Sequence, residues 1–348
     1  MHDNPAVLGW DIGGVNLKVA RFPSASGTAL PKVVCRPLEI QHVLPTLATT
    51  LADVARELGA RPGDQHAVTM TAELSQAFRT KREGVGYVLD ALEASFPFGS
   101  LHVYTAGGEF VSSGHARQHP LAVAASNWMA TACWVSQGFP NCLLIDMGST
   151  STDLIPIVEG EVTAIGRNDP ERLQDGELLY TGLVRTPIEA IVHQVPLWDG
   201  DAGVSAEGFA LIGDAYVWLG RLRPEDYTWR TPDGRPATRE YAGERLARVV
   251  CADREMLNES DIDVLASAVA GAQVEMISAR VRQIRARHPS IGLAVVTGMG
   301  AEIATQAAEA AGLKVVSLGS ELGIVPQATP AAAVASLLSA QLLRQARA

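Results

Sequence analysis

Two short stretches of the sequence combine an aspartate with glycine after an apolar run, and the second adds hydroxyl residues. The first reads Asp-Ile-Gly-Gly-Val-Asn-Leu-Lys over residues 11–18, and the second reads Asp-Met-Gly-Ser-Thr-Ser-Thr-Asp over residues 146–153. Small residues let backbone N–H groups approach an anion closely, because no β-carbon blocks the approach. An aspartate beside such a turn adds a ligand for a hard cation such as Mg²⁺. The two stretches therefore predict phosphate and magnesium binding.

The two stretches also have the same organisation. Each joins two alternating apolar segments, at 6–11 and 17–22 for the first and within 141–162 for the second. Aligning Asp146 with Asp11 places Gly148 opposite Gly13, and Ser151 opposite Asn16. We therefore predict a repeated strand–turn–strand unit, with Asp11 and Asp146 as ligands of one metal–phosphate site between two lobes.

Each residue type in the loops has an expected role. Lys18 would offset charge on a terminal phosphate, and Asp153 would orient water or the metal. Tight hairpins also contain Asp and Gly for conformational reasons alone, so that alternative stays open for either loop taken singly. The predicted phosphate-binding residues are Gly13, Gly14, Val15 and Asn16 in the first loop and Gly148, Ser149, Thr150, Ser151 and Thr152 in the second.

A third glycine-containing loop follows an apolar strand near the end of the chain. It reads Val-Val-Thr-Gly-Met-Gly-Ala over residues 295–301, and an Ala-rich helix follows it. Gly298, Gly300 and Ala301 are predicted to hold a nucleotide or another anion at the helix N-terminus. The loop lacks the third glycine of a dinucleotide fingerprint, and the sequence contains no G-x-x-x-x-G-K-[ST] motif. A Rossmann NAD site and an ordinary P-loop are therefore not expected.

Composition narrows the function classes further. The chain has 348 residues, of which 47% are hydrophobic and 19% charged, and its formal net charge is −10 with no long basic block. Nucleic-acid binding is not expected, because it needs clustered Lys and Arg. No secretory signal or membrane span is predicted, and the four cysteines have no C-x-x-C spacing. We expect a cytoplasmic protein with buried thiols.

Strands alternate with helical patterns along the chain, which predicts an α/β fold with a largely covered sheet. The boundary between the lobes is expected between residues 137 and 138, giving an N-terminal lobe of 1–137 and a C-terminal lobe of 138–348 with an insertion at 168–240. The principal helices are predicted at 43–59, 84–94, 120–136, 187–194, 205–219, 240–257, 261–287 and 330–346.

Taken in order, residues 11–18, 146–153 and 296–301 resemble the phosphate-1, phosphate-2 and adenosine loops of the actin-like ATPase superfamily (sugar kinases, Hsp70). The resemblance implies a two-lobed, ribonuclease H-like fold. Within that superfamily the chain is similar to the hydantoinase/oxoprolinase branch and, more closely, to the tetrahydromethanopterin-linked one-carbon-transfer pathway proteins. The closer match rests on three segments, 69–85, 124–132 and 176–187, which read TMTAELSQAFRTKREGV, AASNWMATA and GELLYTGLVRTP.

That family includes the synthase of methanofuran biosynthesis, and the resemblance implies its reaction. An aminomethylfuran diphosphate would be joined to the phenol oxygen of a tyramine- or tyrosine-derived substrate, and diphosphate would leave. Mg²⁺ is the implied cofactor, and ATP or ADP is expected to bind without being consumed. Both substrates are small molecules, and the sequence leaves the oligomeric state open.

The resemblance also implies an acceptor site. Glu73 and Lys81 are candidates for activating the phenol or for gripping the substrate, and solvated loop charges are the alternative. Arg79, Tyr180 and Arg185 are further candidate contacts, and Arg185 suits a diphosphate or carboxylate. Two other functions remain open: an ATP-dependent kinase or amide-ring hydrolase, and an actin- or Hsp70-like nucleotide sensor.

Overall fold

The protein is described by a computed structural model that covers residues 6–22, 31–322 and 325–347. Two compact units are present. The first consists of Met1–Leu144, Ile155–Asp175 and Val316–Ala348, and the second of Ile145–Leu154 and Gly176–Val315. The sequence placed a single boundary between 137 and 138, whereas here both 155–175 and the C-terminal segment belong with the N-terminal strands.

The strands and helices are defined by the following bounds. The strands are β1 (Val7–Ile12), β2 (Asn16–Phe22), β3 (Lys32–Pro37), β4 (Gln65–Met70), β5 (Ser100–Tyr104), β6 (Phe110–Ser112), β7 (Cys142–Met147), β8 (Thr152–Val158), β9 (Glu161–Val162), β10 (Leu178–Leu179), β11 (Gln194–Leu197), β12 (Gly200–Gly203), β13 (Leu293–Thr297) and β14 (Lys314–Ser317). The helices are α1 (Ile40–Val43), α2 (Leu47–Glu57), α3 (Lys81–Ser95), α4 (Ser113–Gln118), α5 (Pro120–Val123), α6 (Asn127–Val135), α7 (Asp169–Asp175), α8 (Ile212–Trp218), α9 (Arg239–Arg248), α10 (Glu259–Arg287), α11 (Ala301–Ala310), α12 (Leu318–Leu322) and α13 (Thr329–Arg347).

The first unit is built on a sheet of strand order β3-β2-β1-β4-β5-β6. Strands β1, β4 and β5 run parallel, and β2 and β3 extend the sheet as an antiparallel meander. Every residue of β1 is buried, as expected for a central strand covered on both faces. Helix α13 lies directly against it, since a β-carbon on Gly9 would meet the Ala331 carbonyl oxygen at 1.9 Å. This close packing explains why the C-terminal segment belongs to the first unit.

The second sheet has the strand order β10-β8-β7-β13-β14, and β9 pairs with β8. Helices α8, α9, α10 and α11 belong to the second unit. Within the described ranges, α10 is the one helix whose length and apolar composition would allow it to cross a membrane. Its Ile262, Leu265, Val269 and Ile277 side chains are buried in the protein core, and a core helix meets the same criterion.

The predicted helix at 120–136 is wrong in one respect, because the chain leaves helical geometry between α5 and α6. Ala124 forms a parallel bridge with Met70, and Ala125 has a φ of +48°. The Ser126 hydroxyl donates to the Tyr104 carbonyl oxygen at 2.9 Å. These tertiary contacts outweigh the helix propensity of the Ala-rich sequence.

Two other expectations also need correction. The predicted helix at 187–194 is a single short 3-10 turn, Ile188–Ala190, followed by strand β11. Among the four cysteines, Cys142 is buried as expected, but Cys35 and Cys251 are exposed. All four are free thiols.

Candidate active site

The two predicted phosphate loops contain the same turn. The Gly13 amide donates to the Asn16 carbonyl oxygen at 2.9 Å in the loop between β1 and β2. The Gly148 amide donates to the Ser151 carbonyl oxygen at the same distance, 2.9 Å, in the loop between β7 and β8. These are the positions that the sequence alignment paired, so the repeated strand–turn–strand unit is confirmed.

The first loop is held from one side by the chain that follows β3. The Ile40 amide donates to the Gly14 carbonyl oxygen at 3.0 Å, and the Leu38 amide donates to the Val15 carbonyl oxygen at 2.9 Å. Because a trans peptide points its carbonyl and the next N–H in opposite directions, the following loop amides turn away from residues 38–40. A β-carbon on Gly14 would meet no heavy atom within 4 Å. The loop therefore has an open side for an anion.

Asp11 and Lys18 form an ion pair at the base of this loop, on neighbouring strands in register. The Lys18 ammonium donates to Oδ2 of Asp11 at 2.8 Å. Oδ1 of Asp11 is buried and has no hydrogen-bond partner among the described residues. An orphaned carboxylate oxygen beside a small-residue turn fits a Mg²⁺ ligand, since Mg²⁺ uses one or two carboxylates together with phosphate and water.

The second loop is held by the segment 181–186, which reads Thr-Gly-Leu-Val-Arg-Thr. The Leu183 amide donates to the Gly148 carbonyl oxygen at 2.9 Å, and the Val184 and Arg185 amides both donate to the Ser149 carbonyl oxygen at 3.0 Å. A β-carbon on Gly182 would lie 2.5 Å from the Thr150 nitrogen. This run therefore fixes the shape of the second phosphate loop, a role that its spacing in the sequence did not reveal.

Side chains complete the support of the second loop. Arg185 donates to the Thr150 hydroxyl at 3.1 Å, and its guanidinium stacks on Trp229 at 3.8 Å from the ring centroid. The Thr152 hydroxyl donates to the Thr181 carbonyl oxygen at 2.7 Å. The one hydroxyl hydrogen of Thr152 is thus used inside the protein, and a contact of Thr152 with phosphate stays a prediction.

A buried glutamine joins the supporting run to the helix α10. Gln273 donates to the Thr181 hydroxyl at 2.7 Å and to the Gly182 carbonyl oxygen at 2.9 Å, and it accepts from the Tyr216 hydroxyl at 2.5 Å. Sequence reasoning missed Gln273, because its position in α10 is separated by 92 residues from Thr181 and by 91 from Gly182.

The third loop has the predicted strand–loop–helix form, between β13 and α11. Its glycines are required by packing: a β-carbon on Gly298, whose φ is +89°, would lie 2.3 Å from the Met147 carbonyl oxygen, and one on Gly300 would lie 2.5 Å from the Met147 side chain. The Gly300 and Ala301 amides donate to the Met147 and Gly298 carbonyl oxygens. These two amides are thus paired within the protein, and binding of a nucleotide or another anion at this loop stays a prediction.

The remaining predicted residues lie in varied surroundings. Asp146 is half-buried at the end of β7, and a β-carbon on Gly298 would lie 2.5 Å from its Oδ1. Asp153 lies in β8 opposite Leu178 of β10. Arg79 and Tyr180 are exposed. Across the described part of the chain no three His, Cys, Asp or Glu side chains cluster as a metal site.

The residues that follow β4 lie beside the first loop. The Thr71 amide donates to the Ile12 carbonyl oxygen at 2.9 Å, and a β-carbon on Gly13 would lie 3.5 Å from the Thr71 hydroxyl oxygen. Glu73 follows in a 3-10 turn, Ala72–Leu74. This is the carboxyl edge of parallel strands, where ligands collect in open α/β sheets.

Glu73 is a buried carboxylate, not a solvated loop charge. Its side chain is 0% exposed, and neither carboxylate oxygen has a hydrogen-bond partner among the described residues. Burial raises the pKa of Glu73 to about 7, and nearby backbone amides and the Lys81 ammonium offset this only in part. The carboxylate is therefore poised to bind and release a proton near neutral pH.

Lys81, the first residue of α3, lies between two carboxylates. Its ammonium nitrogen is 3.9 Å from Oε1 of Glu73, and it donates to Oδ2 of Asp169 at 2.9 Å. Asp169 begins α7 and is separated from Lys81 by 88 residues, so no local pattern could have identified it.

Comparison with known proteins gives the family of this chain. The hydantoinase/oxoprolinase family model matches residues 64–341. The chain belongs to this family. The nucleotide-free structure of acetone carboxylase resembles the chain with a TM-score of 0.56 and 11% identity, over 95% of this chain and 70% of that one. The actin-like α/β fold class predicted from the sequence is thus confirmed.

Two curated relatives are similar to this chain over long stretches. Both are named (4-{4-[2-(gamma-L-glutamylamino)ethyl]phenoxymethyl}furan-2-yl)methanamine synthase. The protein of Methanocaldococcus jannaschii is 34% identical over 97% of this chain and 98% of its own length. That of Methanococcus vannielii is 34% identical over 60% of this chain and 96% of its own length. The chain is accordingly an enzyme that acts on small molecules.

Proposed function

We propose that this enzyme forms an aryl–alkyl ether in the biosynthesis of a methanofuran-type cofactor. It joins an aminomethylfuran diphosphate to the phenol oxygen of a tyramine- or tyrosine-derived substrate and releases diphosphate. The observation that carries the proposal is similarity over nearly the full length of both chains to a synthase whose named product contains a phenoxymethyl–furan ether.

The phosphate loops support this chemistry. A furfuryl carbon tolerates positive charge because its ring oxygen donates electrons, so departure of the diphosphate sets the barrier. The open space beside Gly14 in the first loop and the Arg185 guanidinium beside the second loop are suited to an anion. Lys18, although paired with Asp11, keeps a side chain that is 25% exposed and can share its charge with a phosphate.

Mg²⁺ is the proposed cofactor, with Asp11 and Asp146 as its protein ligands. When bound, it would neutralise charge on the leaving diphosphate. The orphaned Oδ1 of Asp11 is the feature of this chain that suits such an ion. ATP is proposed not to be consumed, and the enzyme is proposed to act in the cytoplasm without nucleic-acid or membrane partners.

Incubation of the purified protein with an aminomethylfuran diphosphate and a tyramine-derived phenol tests the proposal. We expect the ether by mass spectrometry and an equal amount of diphosphate in a coupled assay, both dependent on Mg²⁺. Asp146→Asn should weaken diphosphate and Mg²⁺ binding measured by calorimetry. Absence of ether with both substrates present would overturn the proposal.

A second candidate function is an ATP-dependent kinase or a hydrolase of cyclic amides. The family itself and the order of its three loops favour it. Adding ATP to the same assay separates the two functions. Stoichiometric ADP formation in step with product would establish the second candidate, whereas ether formation without ATP supports the transferase.

A further inference from the structure

Glu73 is held in a position that is unfavourable for its charge. The side chain is completely buried and its nearest cation lies 3.9 Å away. The Glu73 and Ala125 backbone amides lie nearby and lower the pKa in part, but in the described ranges neither carboxylate oxygen has a partner in full hydrogen-bond geometry. Helix α3 packs closely against it, because a β-carbon on Gly84 would lie 2.6 Å from the Glu73 α-carbon. A buried carboxyl group without a close partner destabilises a fold, which points to a use for the group itself.

Lys81 connects this buried carboxyl group to solvent. Its side chain is 23% exposed, while Glu73 is inaccessible. Asp169 accepts a hydrogen bond from the ammonium at 2.9 Å and fixes its position. An ammonium held in this way can present one hydrogen-bonding site outward and one toward Glu73.

We propose that Lys81 and Glu73 form a proton relay for the acceptor phenol, with Asp169 as the residue that positions Lys81. The proposal deepens the proposed function, on which it rests. Lys81 contacts the phenol oxygen and is the catalytic residue, whereas Glu73 receives the proton from Lys81. The phosphate loops retain the diphosphate, and the first of them lies near this segment, since a β-carbon on Gly13 would lie 3.5 Å from the hydroxyl oxygen of Thr71, two residues before Glu73.

Atoms and electrons balance in this step. The phenol O–H bond breaks, its proton passes to the Lys81 nitrogen, and a proton of Lys81 passes to Glu73, so Lys81 remains an ammonium. The electron pair of the phenol oxygen forms the new bond to the furfuryl carbon. The bond from that carbon to diphosphate breaks, and its electron pair leaves with the diphosphate. A relay is needed because a free phenol has a pKa of about 10 and is mostly un-ionised at neutral pH.

Replacement of Lys81 by Arg tests the relay while keeping the positive charge. Arginine cannot release its proton at these pH values. We expect Lys81→Arg to lower the rate of ether formation by about 10²-fold or more, the usual range for acid–base catalysis. Diphosphate affinity should be unchanged. Lys314→Arg, at an exposed position on β14, is the matched control and should have wild-type activity.

The acidity of the acceptor phenol can be varied to distinguish proton transfer by Lys81 and Glu73 from a purely structural role of these residues. An electron-poor phenol that is already ionised at the assay pH needs no relay. Lys81→Arg and Glu73→Gln should therefore approach the wild-type rate with that acceptor, while remaining slow with the ordinary phenol. An equal loss with both acceptors would overturn the relay.

The pH dependence of the rate of ether formation tests Glu73 and Asp169 separately. The charged groups that face Glu73 are Lys81 on α3 and Asp169 on α7. Asp169→Asn removes a negative charge and frees Lys81 to approach Glu73, so the acid limb of the wild-type profile should move to lower pH. In Glu73→Gln this limb should disappear. Asp201→Asn, in the exposed strand β12, is the control and should leave the profile unchanged.

Failure of the relay and failure of the proposed function give different results. If wild-type protein forms no ether with either phenol, the proposed function is wrong. If wild-type protein forms the ether but the acid limb stays in place in both Glu73→Gln and Asp169→Asn, the relay alone is wrong.

Discussion

Asp11 and Lys18 occupy paired positions on β1 and β2, and the Lys18 ammonium donates to Oδ2 of Asp11 at 2.8 Å. The two side chains differ in exposure, at 1% for Asp11 and 25% for Lys18. If the pair is broken, Lys18 can therefore still reach water, but Asp11 cannot.

This difference predicts unequal effects on stability. Lys18→Met leaves a buried carboxylate without its cation and should lower the free energy of unfolding by about 3 kcal/mol. Asp11→Asn keeps the shape and leaves Lys18 near solvent, so its loss should be smaller, about 1 kcal/mol. Urea denaturation at pH 7 measures both values. Equal losses would contradict the view that burial of Asp11 dominates this pair.

Glu73 should give the protein a pH-dependent stability. Its pKa is 4.5 as a free side chain and about 7 in the fold, because burial disfavours the charged form. A raised folded-state pKa means that this group's stabilising contribution is present below about pH 4.5 and is lost as the pH rises through about 7. Relative to wild type, Glu73→Gln should gain stability over this window, up to about 3 kcal/mol above pH 8.

Denaturation curves of both proteins at several pH values check this prediction. Glu225→Gln, which replaces an exposed carboxylate paired with Arg223, is the control and should follow the wild-type curve. A difference between Glu73→Gln and wild type that does not change with pH would show that Glu73 titrates normally.

Gly14 allows a test of ligand approach to the first loop. A β-carbon there meets no protein atom within 4 Å, so Gly14→Ala should leave the stability within about 0.5 kcal/mol of wild type. The added methyl group would project into the space proposed for the anion, and diphosphate affinity should fall roughly 10-fold or more. Calorimetric titration with diphosphate and Mg²⁺ measures this. Gly271→Ala in α10 also meets open space and should keep full affinity. Unchanged affinity in Gly14→Ala would place the anion elsewhere.

The hydrogen bonds of Gln273 predict that the core of the second unit supports the shape of the second loop. Gln273→Leu leaves the Thr181 hydroxyl and the Gly182 carbonyl without their donor and should lower stability by about 2 kcal/mol. Because Gly182 packs on Thr150, diphosphate affinity should fall as well. Tyr216→Phe removes one hydrogen bond to Gln273 but leaves both of these bonds in place, and it should keep its affinity. Normal affinity in Gln273→Leu would show that the loop holds its shape without this support.

The sequence by itself determined the features that depend on local order. Asp11 and Asp146 begin two stretches of the same spacing, and the Gly13 and Gly148 turns prove to have the same hydrogen bond. A turn of small residues between two strands is specified over about eight residues, so its geometry can be predicted without knowledge of the rest of the chain. The family, too, could be predicted from such segments, because its motifs are contiguous.

Only the tertiary structure decided what surrounds these motifs. In the sequence Glu73 could equally be a solvated loop charge, yet the fold buries its carboxylate, and this burial raises its pKa. Lys81 meets Asp169 across 88 residues of sequence, and the Ala-rich run 120–136 breaks at Ala125 because strand β4 and Tyr104 offer it other partners. Burial and pairing of this kind depend on which distant segments come together, and neither composition nor spacing along the chain specifies that.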